Sequence, residues 1–220
     1  MSYTLINDDC RKVFANLKDK STVIITDPPY NASKSNIKVD KMYYKTIGSK
    51  EENNEWDKDF NPLDFLPEMD RVSKTMIIFC SIHLLNTYLT WKEPTMILHW
   101  YKTNPMPSFR GRPSYCIEYI LWYGKDYYNK GSKHNVYQYP AVGGYERTDH
   151  PSQKPLKLME ELISDFSTKE DTILDPFMGS GTTIVGCMNL GRDSIGIEKK
   201  EENFLIAKDR IEKTNPVLFI

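Results

Sequence analysis

The 220-residue chain lacks the features that would place it in several large classes of protein. It has only four cysteines, Cys10, Cys80, Cys116 and Cys187, and no Cys-x-x-Cys pair, so neither a zinc clip nor a thiol-exchange motif can be read from it. Reduced, buried thiols are expected instead. No long apolar run is present: the most hydrophobic stretch, Met76 to Leu85, is broken by Ser81 and His83 and is about half the length that spans a bilayer. No contact with a membrane is expected. The first residues, Met-Ser-Tyr-Thr-Leu, lack the basic region, apolar stretch and cleavage site of a secretory signal, which predicts a cytoplasmic protein. Glycine (11) and proline (13) are too few for collagen-like or low-complexity sequence. With 29 basic and 30 acidic residues the formal charge is -1, so no whole-molecule field points to a polyanionic partner.

What is present is an ordinary globular composition, 40% hydrophobic and 27% charged, in a chain long enough to bury a core without disulfides. Charge is unevenly spread. Residues 31–50 carry five lysines against one acid, residues 102–134 carry six basic residues against two acids, and residues 51–70 carry eight acids against one lysine. A solvated face explains such runs by default.

Short runs rich in Ile, Val, Phe and Tyr alternate with helical patterns, the signature of a sheet covered by helices. Strands are predicted at residues 3–6, 22–26, 75–80, 96–101, 117–123, 172–174 and 194–197. Helices are predicted at 11–17, 62–72, 83–89, 155–166, 182–190 and 201–213. Two stretches, 31–61 and 124–153, resist assignment, and long irregular segments inside a compact domain are commonly functional. No internal repeat or interdomain linker is evident, so one domain over residues 1–220 is expected.

Two motifs suggest chemistry, though neither establishes it standing alone. Asp175-Pro176-Phe177-Met178-Gly179-Ser180-Gly181-Thr182-Thr183 passes from a strand through a glycine turn into a helix, a place where ligands approach backbone at a helix N-terminus. The following strand ends at Glu198, 19 residues after Gly179, where a carboxylate can accept both hydrogens of a ribose diol. A structural turn and a surface glutamate would look the same locally. At the exit of the 22–26 strand, Asp27-Pro28-Pro29-Tyr30 gathers a carboxylate, carbonyls that the prolines leave without local donors, and an aromatic ring. That set suits a planar ligand bearing an amino group, with a Pro-Pro loop and a partly buried tyrosine as the bland alternative.

These two motifs, with Gly196-Ile197-Glu198 and His150-Pro151-Ser152-Gln153-Lys154-Pro155-Leu156-x-Leu158, resemble the S-adenosylmethionine-dependent DNA amino-methyltransferases. The tetrad precedes the cofactor loop, as in that family's circularly permuted beta group, and the likeness runs from Asp9 to Arg210. The resemblance implies a single-domain, Rossmann-like α/β fold: a seven-stranded mixed sheet with helices on both faces, the strand before Asp175 lying beside the strand before Asp27. It implies S-adenosyl-L-methionine as cofactor, with Asp175, Phe177, Gly179, Gly181 and Thr182 at its methionine part and Glu198 on its ribose. Asp9 matches the acid near the adenine, and Ser152 with Lys154 matches the element closing over the methionine end. Asp27, Pro28, Pro29 and Tyr30 would form the catalytic tetrad.

Two departures stand out. Asp8 replaces the family's usual glycine before the acid, leaving Asp8 and Asp9 both as candidates to face the cofactor, and Asn203-Phe204 stands where a tyrosine is common. The implied reaction is methyl transfer to the exocyclic amino group of a flipped-out base in double-stranded DNA. The tetrad's aspartate favours N6 of adenine, with N4 of cytosine, or an RNA or protein amide, as alternatives. A DNA-binding module without turnover is the competing class, and the intact Asp27, Tyr30 and Glu198 argue against it. In this setting Lys34, Lys38, Lys41, Arg110 and Arg112 become phosphate-contact candidates, and segments 31–61 and 124–153 become DNA-contacting insertions. The resemblance leaves room for a homodimer and for a cognate restriction endonuclease as partners, and calls for no metal.

Overall fold

A computed structural model describes residues 1–30, 60–105, 113–127, 133–143 and 153–214. Along the chain lie β1 (Tyr3–Ile6), α1 (Cys10–Phe14), β2 (Thr22–Thr26), a 3-10 turn (Pro62–Asp64) and α2 (Leu66–Val72). Next come β3 (Ser73–Cys80), α3 (Ile82–Trp91), β4 (Met96–Lys102), β5 (Ile117–Tyr123) and β6 (Val136–Tyr139). The chain then forms α4 (Leu156–Phe166), β7 (Thr172–Asp175), α5 (Thr182–Leu190), β8 (Asp193–Ile197) and α6 (Glu201–Thr214).

The eight strands among the described residues join one sheet in the order β1-β8-β7-β2-β3-β5-β4-β6. β2 pairs in parallel with β7 on one side and β3 on the other, as the resemblance implies. β5 is antiparallel to both β3 and β4, while β6 is parallel to β4. β5 alone therefore runs against the other seven strands. Its first residues consequently lie at the sheet edge where the other strands end.

The strand count corrects the expected seven. β6 falls in the stretch that gave no clear pattern, because it is four residues long at the edge of the sheet and buries only Tyr137. Its pairing depends on β4 and on side chains of α4 rather than on local periodicity. The helix expected over 62–72 divides at Phe65, where Asn61 caps the 3-10 turn and Pro67 sits in the first turn of α2. Elsewhere element types agree with the sequence reading and ends shift by a few residues.

Alternating strand residues divide the core between the sheet's two faces. Ile24, Met76, Ile78, Leu121 and Leu174 pack with side chains from α1, α2 and α3. Val23, Ile25, Ile77, Phe79, Ile120 and Ile173 pack against α4, whose Leu158, Met159, Leu162, Ile163 and Phe166 are all buried. Ala207 and Ile211 of α6 close over Ile184 and Val185 of α5 in a smaller cluster. Among the described residues no helix is long and apolar enough to cross a membrane.

Candidate active site

The ends of β2, β7 and β8, and the start of β5, converge at one edge of the sheet. At the exit of β2, Thr26 is fully buried and its Oγ1 donates to Asp175 Oδ1 at the end of β7 (2.6 Å), tying the two strands together just before the chain leaves the sheet. Asp27 follows. Its Oδ2 accepts from Lys154 Nζ at 2.5 Å, and its Oδ1 is buried with no hydrogen-bond partner among the described residues. Burial raises the Asp27 carboxyl above the ordinary aspartate range, a tendency that Lys154 opposes and Glu118 reinforces. Burial also pulls the Lys154 ammonium down, but the carboxylates of Asp27 and Glu118 outweigh it and hold the group charged.

Tyr30 is half-buried. Its hydroxyl donates to Glu118 Oε2 at 3.0 Å, and its backbone carbonyl accepts from Ser81 Oγ at 3.1 Å. Lys154 Nζ lies 5.0 Å from the Tyr30 ring centroid and the same distance from that of Phe79, so the ammonium rests against two π-faces as well as between two carboxylates. Glu118 is a member of this constellation that the sequence reading missed. Its Oε1 accepts from Lys102 Nζ at 2.5 Å, and its Oε2 lies 3.4 Å from Lys154 Nζ. Burial works against its ionisation, yet Lys154 and Lys102 together bring its carboxyl down to about 2. Nothing in the neighbourhood Ile117-Glu118-Tyr119 marks it as functional; the one available signal is a charged residue among the apolar residues of a strand.

The second half of the site is the turn from β7 to α5. Gly179 and Gly181 have positive φ (49° and 74°), the region that disfavours a side chain. A Cβ on Gly181 would also meet Ile211 Cδ1 at 3.0 Å and Ala207 Cβ at 3.2 Å, so that glycine lets α6 close onto the turn. Thr182 Oγ1 accepts from Arg210 Nη1 of α6 at 2.8 Å, a second fastening of the same kind. Asp175 is buried. Besides Thr26, it accepts from Phe177 N (3.1 Å) and Thr183 Oγ1 (2.5 Å), and burial raises its carboxyl to about 6. These are tying roles, performed by residues that the resemblance implies lie at the cofactor. The Phe177 ring meets Phe60 and Phe65 edge-on at 5.5 and 5.2 Å.

Glu198, at the end of β8, accepts from Gly179 N at 3.1 Å through Oε2 and from Lys200 N at 2.8 Å through Oε1. Burial raises its carboxyl. Asp9, just past β1, caps α1 and is held by Arg11 (2.9 and 2.6 Å) and by Lys199 (3.1 Å), the residue after Glu198. The Arg11 hydrogen bonds hold its carboxyl well below the usual range. Asp8 pairs instead with the exposed Lys12, so Asp9 is the acid that turns toward the end of β8.

These residues fit S-adenosylmethionine on the chemistry of their donors and acceptors. Each Glu198 oxygen accepts one backbone N–H and keeps a second lone pair, which is what a ribose diol needs. The left-handed Gly179–Gly181 turn at the start of α5 exposes backbone beside it. The structure thus brings Asp9, Phe177, Gly179 and Glu198 to one end of the strand edge, and Asp27, Tyr30 and Lys154 to the other, with Asp175 between them. Lys154 lies on the tetrad side of this arrangement, bonded to Asp27. Ser152, Lys34, Lys38, Lys41, Arg110 and Arg112 lie outside the described residues, as do most of segment 31–61 and parts of 124–153.

Comparison with known proteins gives a consistent picture. A family described as DNA methylase, the N6/N4 methyltransferases, matches residues 22–209. The type II methyltransferase M2.MboI of Moraxella bovis is 30% identical, covering 99% of this chain and 90% of that protein. M2.DpnII of Streptococcus pneumoniae is 33% identical, with 96% and 90% covered. The crystal structure of the M1.HpyAVI–SAM complex superposes with a TM-score of 0.70 at 29% identity, over 95% of this chain and 98% of that one. The cytosine-N4-specific PvuII DNA methyltransferase superposes with a TM-score of 0.71 at 15% identity, over 97% and 91%, a likeness of fold.

Proposed function

The chain belongs to the N6/N4 DNA methylase family and is an S-adenosylmethionine-dependent DNA amino-methyltransferase; from that premise we propose that it methylates N6 of adenine in double-stranded DNA, with Asp27, Pro28, Pro29 and Tyr30 as its catalytic tetrad. The observation that carries this reading is the buried Oδ1 of Asp27 at the exit of β2, an acceptor with no donor among the described residues. A buried carboxylate oxygen without a donor is costly unless function uses it. An exocyclic amine is a donor of the right kind.

The exocyclic nitrogen is a poor nucleophile because its lone pair is delocalised into the ring. S-adenosylmethionine supplies a methyl group made electrophilic by its sulfonium centre. The protein's task is therefore to fix and polarise the amine. Asp27 Oδ1 and the Pro28 carbonyl accept its two hydrogens, favour a pyramidal nitrogen and stabilise the positive charge that develops on it. The raised Asp27 carboxyl also makes Oδ1 a competent acceptor for the proton that nitrogen must lose. The base reaches this place only when turned out of the duplex, and the Tyr30 ring provides its platform. Glu198 would hold the cofactor's ribose, Asp9 would lie near its adenine, and Asp175, Phe177, Gly179, Gly181 and Thr182 would surround its methionine part, with Ser152 and Lys154 in the element that closes over that end. Lys34, Lys38 and Lys41 in segment 31–61, with Arg110 and Arg112, contact DNA phosphates, and segment 124–153 is the second DNA-contacting insertion. The naming of the relatives as type II methyltransferases supports a cytoplasmic role beside a cognate restriction endonuclease.

Replacing Asp27 by Asn keeps size and removes charge, and an amide NH2 facing the target amine sets donor against donor. Single-turnover methylation should slow by roughly 10² to 10³, equivalent to about 3 to 4 kcal/mol, with S-adenosylhomocysteine affinity nearly unchanged. A wild-type rate in this variant refutes the tetrad assignment. Mass spectrometry of nucleosides from treated DNA should show N6-methyladenine; N4-methylcytosine in its place overturns the base assignment alone.

A further inference from the structure

We propose that Glu118 is a positioning residue for methyl transfer, holding the Lys154 ammonium and the Tyr30 hydroxyl so that one oxygen of Asp27 stays available to the target amine. This rests on the reading of Asp27 as the acceptor of that amine.

The geometry follows from the topology. β5 is the strand that runs against the others, so Glu118, its second residue, enters the edge where β2 and β4 end. Its two oxygens divide the work. Oε1 takes Lys102 Nζ at 2.5 Å, while Oε2 takes the Tyr30 hydroxyl at 3.0 Å and lies 3.4 Å from Lys154 Nζ. The side chain is only 18% exposed, as is consistent with an internal role. Asp27, Glu118, Lys154 and Lys102 form a quartet of two carboxylates and two ammonium groups, so the pocket is neutral and each lysine has a carboxylate to face.

Lys154 is the pivot. Its ammonium is shared between Asp27 Oδ2 and Glu118 Oε2. With Glu118 neutral, Asp27 becomes the one carboxylate beside Lys154 among these contacts, and the ammonium is free to bridge both Asp27 oxygens and occupy the acceptor the amine requires. With Lys154 absent, the situation inverts: Asp27 and Glu118 become neighbouring like charges in a water-poor site, and neutralising Glu118 relieves them. A merely structural ion pair has no such change of sign. Glu118 also anchors the Tyr30 hydroxyl, which sets the tilt of the ring on which the base stacks.

The test times single turnovers of preformed enzyme, DNA and cofactor for wild type, Glu118→Gln, Lys154→Met, the double variant and Asp27→Asn, alongside S-adenosylhomocysteine affinity by calorimetry. Glu118→Gln should lose roughly tenfold or more in rate, equivalent to about 1.4 kcal/mol on the barrier, with affinity near wild type. In the Lys154→Met background the same change should leave the rate equal or higher. A wild-type rate for Glu118→Gln, or an equal fractional loss in both backgrounds, overturns the proposal. If Glu118→Gln does not fold, Glu118→Asp carries the same comparison, since shortening the side chain withdraws the carboxylate from Lys154 but keeps its charge. Asp27→Asn separates the two claims: a fast Asp27→Asn refutes the tetrad reading, whereas a slow Asp27→Asn beside a fast Glu118→Gln refutes only the role of Glu118.

Discussion

Two lysine clusters flank α4, and they are built to opposite ends. Near its C-terminus, Lys133 Nζ bonds Asp165 and lies 2.6 Å from Glu161, while Tyr137 donates to Asp165 (2.8 Å) and Tyr139 to Glu161 (2.7 Å). No buried side-chain atom of that cluster lacks a partner among the described residues. Two residues before the start of α4, Lys154 is more deeply buried at 7% exposure, bridges Asp27 and the Glu118 that also faces Lys102, and leaves Asp27 Oδ1 without a donor among the described residues. The first cluster pairs its polar groups and pins the edge strand β6 to α4. The second holds one acceptor back. A closed network contributes to stability, whereas an open one gives up some stability to keep a place for a ligand.

The contrast is sharpest where one partner is deleted. Asp165→Ala leaves Lys133 with Glu161 alone and removes the acceptor of the Tyr137 hydroxyl; urea denaturation should show a loss of about 4 kcal/mol. Its single-turnover rate, measured where the variant is folded, should stay near wild type. That is the reverse of Asp27→Asn, and an Asp165→Ala enzyme that is stable but slow would erase the distinction between the clusters.

Asp175 stands between the two cases, buried and partnered, but by two hydroxyls and an amide instead of a cation. Neutral partners do not offset the burial of charge, which raises its carboxyl from 3.8 to about 6. Because the folded value lies above the unfolded one, the group's contribution is fully present below the unfolded value and is lost as pH rises through the folded one. Relative to Asp175→Asn, wild type should lose roughly 3 kcal/mol between about pH 3 and about pH 8. Parallel pH-dependent unfolding curves for the two proteins would show that hydroxyl partners suffice to hold the charge.

On the open side, Glu198→Gln should weaken S-adenosylhomocysteine binding about tenfold, since one charged acceptor is exchanged for a neutral one, with little change in the melting temperature of the free protein. Calorimetric titration decides it, and unchanged affinity would remove Glu198 from the cofactor's ribose. On the closed side, the smallest effect is expected from Tyr139→Phe. It deletes one hydrogen bond to Glu161 and should cost about 1 kcal/mol of stability with no effect on rate. A measurable slowing would mean that β6 couples to the chemistry.

Much of this molecule was written locally. The Asp-Pro-Pro-Tyr exit, the glycine turn and the acid ending β8 were legible because prolines, positive-φ glycines and a strand-terminal carboxylate impose their chemistry within a few residues. The same holds for most strands and helices, whose apolar period is a property of neighbours in sequence. Tertiary structure decided the rest. Glu118 meets Tyr30 across 88 residues because β5 is reversed in the sheet, and no local pattern records a strand's direction. β6 exists by virtue of β4 and α4, and its four residues alternate too briefly to announce it. Gly181 reads as a ligand glycine, yet the Ile211 and Ala207 side chains that crowd it arrive from α6. Lys154 reads as part of the element closing over the cofactor, and only the packed sheet determines that the carboxylates its ammonium meets are Asp27 and Glu118.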